Sequence, residues 1–169
     1  MDDVFLTEPS VTSRISALEW DRIESELETR GFALTGPLLT AGEMAAAAEA
    51  YEAEGLYRSH IKMARHGFGR GEYKYYRYPL PPLVAELRTE LYPRLVPTAN
   101  RWAEALKSEI RYPVTLQEFT ARCHGAGQSR PTPLTLKYCA GDYNRLHQDL
   151  YSGEHFPLQA VFMLTRPGL

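Results

Sequence analysis

At 169 residues and 19.2 kDa, with 44% hydrophobic and 24% charged side chains, the chain has the size and composition of one globular domain and lies outside the disordered, collagen-like and membrane classes. Its longest apolar stretches, Met44 to Ala48 and Ala160 to Leu164, are far below the roughly 18 to 20 residues of a bilayer span; Met1-Asp2-Asp3-Val4 lacks the basic lead of an export signal; and two cysteines, Cys123 and Cys139, fit a reducing, cytoplasmic setting. The net charge of −2 conceals an acidic start, 3 basic and 12 acidic side chains in residues 1–56, and a basic patch, 6 basic and 1 acidic in residues 58–78, an asymmetry that steers an acidic or polyanionic partner toward one face.

Ser16 is placed to cap a helix through Leu18, Ile23 and Leu27 that ends at Gly31, and residues 31–36 read as a short strand closed by Pro37. Thr40 and Glu43 form a T-x-x-E capping box ahead of an alanine-rich helix from about Ala41 to Ala53. Residues 57–79 break the period: Gly67, Gly69 and Gly71 lie among Arg65, His66, Arg70, Lys74 and Arg77, close to Tyr73, Tyr75, Tyr76 and Tyr78, and predict a mobile loop leading into a short strand. Pro81-Pro82 opens a helix through Leu83, Leu87 and Leu91, interrupted at Pro93 or Pro97 and resumed from Thr98 to Glu109 with Trp102 and Leu106 one turn apart. Thr115 and Glu118 form a second capping box for a helix to about Gly125. Strands are predicted beyond Gly127: residues 133–138, with Leu134, Leu136 and Tyr138 on one face, and residues 156–164, apolar on both faces.

The chemistry concentrates in Lys137 to Tyr151, where His147 and Asp149 are two residues apart. On an extended segment both side chains reach one face, and an imidazole with a carboxylate supplies two ligands of a 2-His-1-carboxylate iron site. The competing reading is an Asp and a His engaged in ordinary turn hydrogen bonds. His60 with His66, and Cys123-His124, lack a metal partner at ligand spacing and read as structural; Trp20 and Trp102 read as core, and Cys139 as a buried strand cysteine.

With a strand and a glycine turn before the pair, and Tyr138 nine positions ahead of His147, this stretch resembles the first metal-binding strand of the 2-oxoglutarate and Fe(II)-dependent dioxygenases, in their prolyl-hydroxylase-like and alkylated-base-repair branches. The resemblance implies an α+β fold, N-terminal helices (residues 1–132) packed on a partial, jelly-roll-like double-stranded β-helix that begins with residues 133–169, all in one structural domain. It implies His147 and Asp149 as Fe(II) ligands, Tyr138 as a contact of the cosubstrate 2-oxoglutarate, and O₂ as co-reactant. The family's second histidine ligand and its basic cosubstrate residue fall on strands beyond Leu169, since His155 comes too soon after Asp149 to have crossed the barrel. The chain is therefore expected to be the N-terminal portion of such an enzyme, with an exposed strand prone to self-association, and a non-catalytic binding domain is the alternative. The basic and aromatic segment offers Arg65, His66, Arg70 and Tyr75 as a substrate loop for a nucleic acid, a protein or a small metabolite, and a nucleic-acid-binding module built on residues 57–78, whose basic and aromatic side chains engage phosphates and bases, is a further alternative.

Overall fold

The computed structural model describes residues 8–147 and 153–165. Five α-helices and a small antiparallel sheet give an α+β architecture: α1 (Val11–Ser16), α2 (Trp20–Arg30), α3 (Ala41–Glu49), α4 (Pro82–Ala105) and α5 (Leu116–Gly125), with β1 (Tyr57–Lys62), β2 (Gly69–Arg70), β3 (Glu72–Tyr76), β4 (Leu134–Lys137) and β5 (Tyr143–Asn144). Among the described residues β1, β3 and β4 form one sheet in the order β1-β3-β4, while β2 pairs with β5. No described helix is long and apolar enough to cross a membrane.

The first turn of the chain differs from expectation. Ser10, not Ser16, is the first cap: its hydroxyl accepts the Ser13 N–H and starts α1, of which Ser16 is the last residue. The chain then turns a corner held by the Trp20 indole, which donates to the Ile15 carbonyl, before α2 runs to Gly31 in the left-handed conformation the sequence assigned to it. Residues 32–36 form no strand. No neighbouring strand among the described residues pairs with them, and the Leu34 backbone bonds instead to Arg22 and Glu26 of α2. The Thr40–Glu43 box closes in both directions, and Arg14 grips the same Glu43 at 2.6 Å while its Nε donates to the Leu38 carbonyl, fastening α1 to the entry of α3.

Helix α4 passes through Pro93 and Pro97 without a break and ends at Ala105, short of Glu109. The two prolines are four residues apart and exposed, so the carbonyls they leave without a donor, at Thr89 and Pro93, face water, and the cost of the missing bonds is small. Lys107 takes a left-handed φ of 54°, and Ser108 N–H returns to the Ala103 carbonyl to close the helix end. At α5 the Thr115 hydroxyl accepts the Glu118 N–H and donates to the Glu118 carboxylate, so that box closes through the hydroxyl.

Helix α4 is the common wall of two cores. Leu87 packs with Val11, Ile15, Leu38 and Leu39, whereas Tyr92, Val96 and Ala99 pack with Tyr112 and Phe119. Residues 156–164 form no ladder, contrary to the expected strand; they run along the helices, Phe156 and Leu158 on the second core and Phe162 and Leu164 on the first, while Val161 and Met163 are 74% and 68% exposed. The alternation is that of a strand with one face on the helices, and the backbone pairing that would make it one is missing among the described residues.

Candidate active site

The segment expected to be a loop, residues 57–79, is largely sheet. Tyr57 to Lys62 pairs with Glu72 to Tyr76, with an irregularity between Tyr57 and Ser59, and β3 in turn pairs with β4 in the register Glu72↔Lys137, Tyr73↔Leu136, Lys74↔Thr135 and Tyr75↔Leu134. Alternation along β3 puts Tyr73 and Tyr75 on one face with Leu134, Leu136 and Ile61, and Glu72, Lys74 and Tyr76 on the other. Between β1 and β3 the connection from Met63 to Gly71 is punctuated by three glycines of positive φ and contains the short β2, and residues 77–79 lie outside the strands.

The back face is a polar network that the sequence did not reveal. Lys74 is buried, donates to the Tyr51 carbonyl at 2.8 Å and lies over the Tyr51 ring, 4.3 Å from its centroid. Glu72 accepts from Tyr51 Oη at 3.1 Å and bonds His60 Nε2 at 3.0 Å. Burial opposes ionisation of Glu72, but the bonds from His60 and Tyr51 outweigh it and hold the carboxyl below the usual glutamate range. His60 is thus a structural residue here, as are Cys123 and His124 on α5, while His66 stacks on Phe68.

On the front face, β4 leads to Tyr138, whose ring lies over Gly71. A Cβ on Gly71 would stand 2.8 Å from Tyr138 Cδ1, so the missing side chain is the seat of the ring. Burial first, then the Asp142 charge, raises the Tyr138 phenol above its ordinary value against a hydrogen bond from Asn144. The next turn is tied by Asp142, which accepts the Cys139 N–H at 2.8 Å; Cys139 is exposed in that turn, not buried in a strand. The chain returns as β5, pairing Asn144 with Gly69 and Tyr143 with Arg70, and Arg145 N–H donates to the Phe68 carbonyl at 2.9 Å. Gly69 is obligatory, because a Cβ there would stand 2.1 Å from the Tyr143 carbonyl oxygen.

His147 follows two residues later. Its Nδ1 donates to the Arg145 carbonyl at 2.7 Å. A carbonyl only accepts, so this bond fixes the proton on Nδ1 and leaves the lone pair of the neutral ring on Nε2, the tautomer and support that metal-ligating histidines carry. Asp149 lies outside the described residues, and among the described residues no group of three His, Cys, Asp or Glu side chains converges on a metal position. The donor chemistry of His147 fits Fe(II).

Of the proposed substrate residues, Arg65 and His66 stand at the connection after β1, and Arg70 lies in β2 opposite Tyr143, beside the strand that leads to His147. Tyr75 is farther along the front face, edge-on to Tyr73 with centroids 5.5 Å apart and with the Arg58 guanidinium 4.4 Å from its centroid. Sequence reasoning missed Gly71, Phe68 and Arg145; glycine at every second position, 67, 69 and 71, is the signal of close backbone approach that would have found the first.

Gly71→Ala is expected to lose about 1–3 kcal/mol, since φ there is 113° and the new methyl meets the Tyr138 ring. Urea denaturation measures the loss, and Gly125→Ala, with open space around its Cβ and a helical position, serves as the neutral or mildly stabilising control.

Two proteins of Mycobacterium tuberculosis, MT2286 of strain CDC 1551 / Oshkosh and Rv2227 of strain ATCC 25618 / H37Rv, both uncharacterized, are each 46% identical to this chain over 89 residues, 53% of the chain and 38% of the relative. The chain thus spans well under half the length of these relatives. No solved structure matches significantly. The model of a family described as "Oxygenase, catalysing oxidative methylation of damaged DNA" matches residues 71–169, a stretch that starts at the glycine under Tyr138 and contains both that tyrosine and His147; covering more than half of the chain, the match makes the protein a member of this oxygenase family.

Proposed function

We propose that the protein is a 2-oxoglutarate and Fe(II)-dependent oxygenase acting on a methylated base in damaged DNA, with residues 133–169 contributing the first strands of a double-stranded β-helix. One observation carries the reading: the segment bearing Tyr138 and His147 lies within the oxygenase match and is paired with the strand bearing Arg70. His147 Nε2 and the Asp149 carboxylate are the iron ligands of this chain, and Tyr138 Oη hydrogen-bonds the cosubstrate. Iron with 2-oxoglutarate supplies an oxidant for C–H bonds, with the balance R–H + 2-oxoglutarate + O₂ → R–OH + succinate + CO₂. The protein's own part is positional. The Arg145 carbonyl holds the His147 ring in its ligating tautomer, the Gly71 seat holds the Tyr138 phenol at the end of β4, and Arg65, His66, Arg70 and Tyr75 receive the substrate.

The test supplies Fe(II), 2-oxoglutarate and a methylated oligonucleotide to a polypeptide of the length of the matched relatives that contains this chain and the remaining ligands, and follows succinate and formaldehyde, which an N-hydroxymethyl product releases. Equal yields are expected, falling to background in His147→Ala and in Asp149→Ala. Succinate formation indifferent to His147→Ala, or an intact methyl group, would refute the assignment. Anaerobic Fe(II) titration of the same variants separates loss of metal from loss of turnover.

A further inference from the structure

Resting on the reading of Tyr138 as the cosubstrate contact, we infer that Tyr51 is a positioning residue: from behind the sheet it holds together the two strands between which the Tyr138 ring is seated. The register puts Tyr138 one step beyond the pair Glu72↔Lys137, opposite Gly71. A Cβ built on Gly71 would meet Tyr138 Cδ1 at 2.8 Å, Cε1 at 3.0 Å and the Lys137 carbonyl at 3.2 Å. The seat is therefore made by β3 and β4 jointly, and a small slip of one strand against the other changes its shape. Tyr138 is 43% exposed, so apart from the Asn144 bond this seat decides where the phenol stands.

Strand alternation sends the neighbours of both seat residues to the back face. Glu72, next to Gly71, and Lys137, next to Tyr138, stand opposite each other there. Both are bound by adjacent residues of the helical turn Ala50–Glu52 that follows α3. Tyr51 Oη donates to Glu72 Oε1 at 3.1 Å, and Lys137 Nζ donates to Glu52 Oε1 at 2.9 Å. Lys74, two residues along β3, donates to the Tyr51 carbonyl and sets its ammonium 4.3 Å from the Tyr51 ring centroid, while Lys137 Nζ lies 5.0 Å from the same centroid. Tyr51 thus meets β3 through its hydroxyl, its carbonyl and its ring, and β4 through its ring.

Burial ranks these contacts. Tyr51 and Lys74 are buried, whereas the Lys137–Glu52 pair is open to solvent and contributes little energy by itself. His60 gives Glu72 a second hold, on Oε2, from β1. Met63 N–H donates to the Gly71 carbonyl at 3.0 Å and fixes the seat from the connection. Tyr51 therefore acts on the cosubstrate only through the strands it fastens, as residues behind a ligand contact do when they fix its orientation.

The experiment uses a polypeptide of the length of the matched relatives that contains this chain. It reads KM for 2-oxoglutarate and kcat on a methylated oligonucleotide, together with the Gly71 Hα resonance, which the ring beside it displaces from the random-coil position. Tyr51→Phe keeps the ring and removes only the donation to Glu72. It is expected to raise KM about 10-fold with little change in kcat, and to move the Gly71 resonance toward random coil. Glu72→Leu is expected to do the same, and Glu72→Gln, whose amide oxygen still accepts the phenol, to stay near wild type. Tyr138→Phe is expected to raise KM and leave the Gly71 resonance in place. If Tyr51→Phe leaves either KM or the Gly71 resonance unchanged, or lowers kcat alone, the positioning role is refuted, and a raised KM in Tyr138→Phe shows that the cosubstrate contact survives it. If Tyr138→Phe has the wild-type KM, or the wild type turns over no 2-oxoglutarate, the cosubstrate contact falls and the positioning role falls with it.

Discussion

Phe119→Ala is expected to destabilise the protein by about 3–5 kcal/mol, enough to consume a large part of the stability of a domain this size. Phe119 is buried where α5 meets α4, its ring 5.5 Å from Tyr92, 5.9 Å from Tyr112 and 5.9 Å from Phe156. Truncation leaves a cavity among three rings that cannot all collapse into it, so the lost contacts add to the lost burial. Because Phe156 is the first anchor of the run that continues to Leu164, the same change should loosen that run from the helices. Urea midpoints measure the destabilisation, and protease susceptibility around residues 157–161 reports the loosening. Phe32→Ala is the comparison: that ring is half exposed and covered by the Arg30 guanidinium alone among the cation–ring contacts, and should cost well under half as much. A loss below 1 kcal/mol at Phe119 would mean the aromatic cluster is not a core.

Stability should also collapse in alkali, and the reason is geometric before it is electrostatic. Three buried phenols donate to oxygens that only accept: Tyr51 to the Glu72 carboxylate, Tyr57 to the Ala50 carbonyl and Tyr92 to the Pro113 carbonyl. Ionisation removes each donor and sets a phenolate against an oxygen. Burial accordingly pushes Tyr57 up to about 12, and raises Tyr51 and Tyr92 as well, with the Glu72 charge adding to the rise at Tyr51. In the unfolded chain the same groups ionise near pH 10. The folded state holds its protons longer, so the stabilisation is complete below about pH 10 and is lost as pH rises through the folded values. Each tyrosine then contributes a decline of about 1.4 kcal/mol per pH unit. Denaturation midpoints taken at increasing pH measure the decline, and Tyr57→Phe should remove one share of it between about pH 10 and 12. A stability that is flat across that interval would contradict the assignment of these hydroxyls as obligate donors.

What was legible in the sequence divides along a physical line. The helix starts and stops are local: the Thr40–Glu43 box and the Gly31 terminus depend on residues within one turn of each other, and both stand where the sequence put them. Apart from the first cap, which is Ser10 and not Ser16, the failures involve partners distant in sequence. Residues 32–36 and 156–164 have strand composition, but a strand exists only against another strand, and none of the local signals says where the neighbour is. The glycines of 67–71 masked the alternation of β1 and β3 on either side of them. The continuity of α4 depends on Pro93 and Pro97 facing water, a consequence of which side of the helix the two cores occupy. The spacing of Tyr138 and His147 was visible at once, whereas the pairing of their segment with Phe68 and Arg70 is contact between residues more than 70 positions apart.

The sheet itself has a polarity. Its β1 border carries Arg58, His60 and Lys62 at alternate positions and is distorted next to Tyr57, features that repel an incoming strand. The β4 border holds Leu134, Thr135 and Leu136 before its single charge at Lys137, and among the described residues it has a neighbour on one side only. Accretion of a further strand, whether from the same polypeptide or from a synthetic peptide, is therefore biased to one flank, and an isotope-labelled strand peptide should report amide pairing at residues 134–137 and none along 57–62.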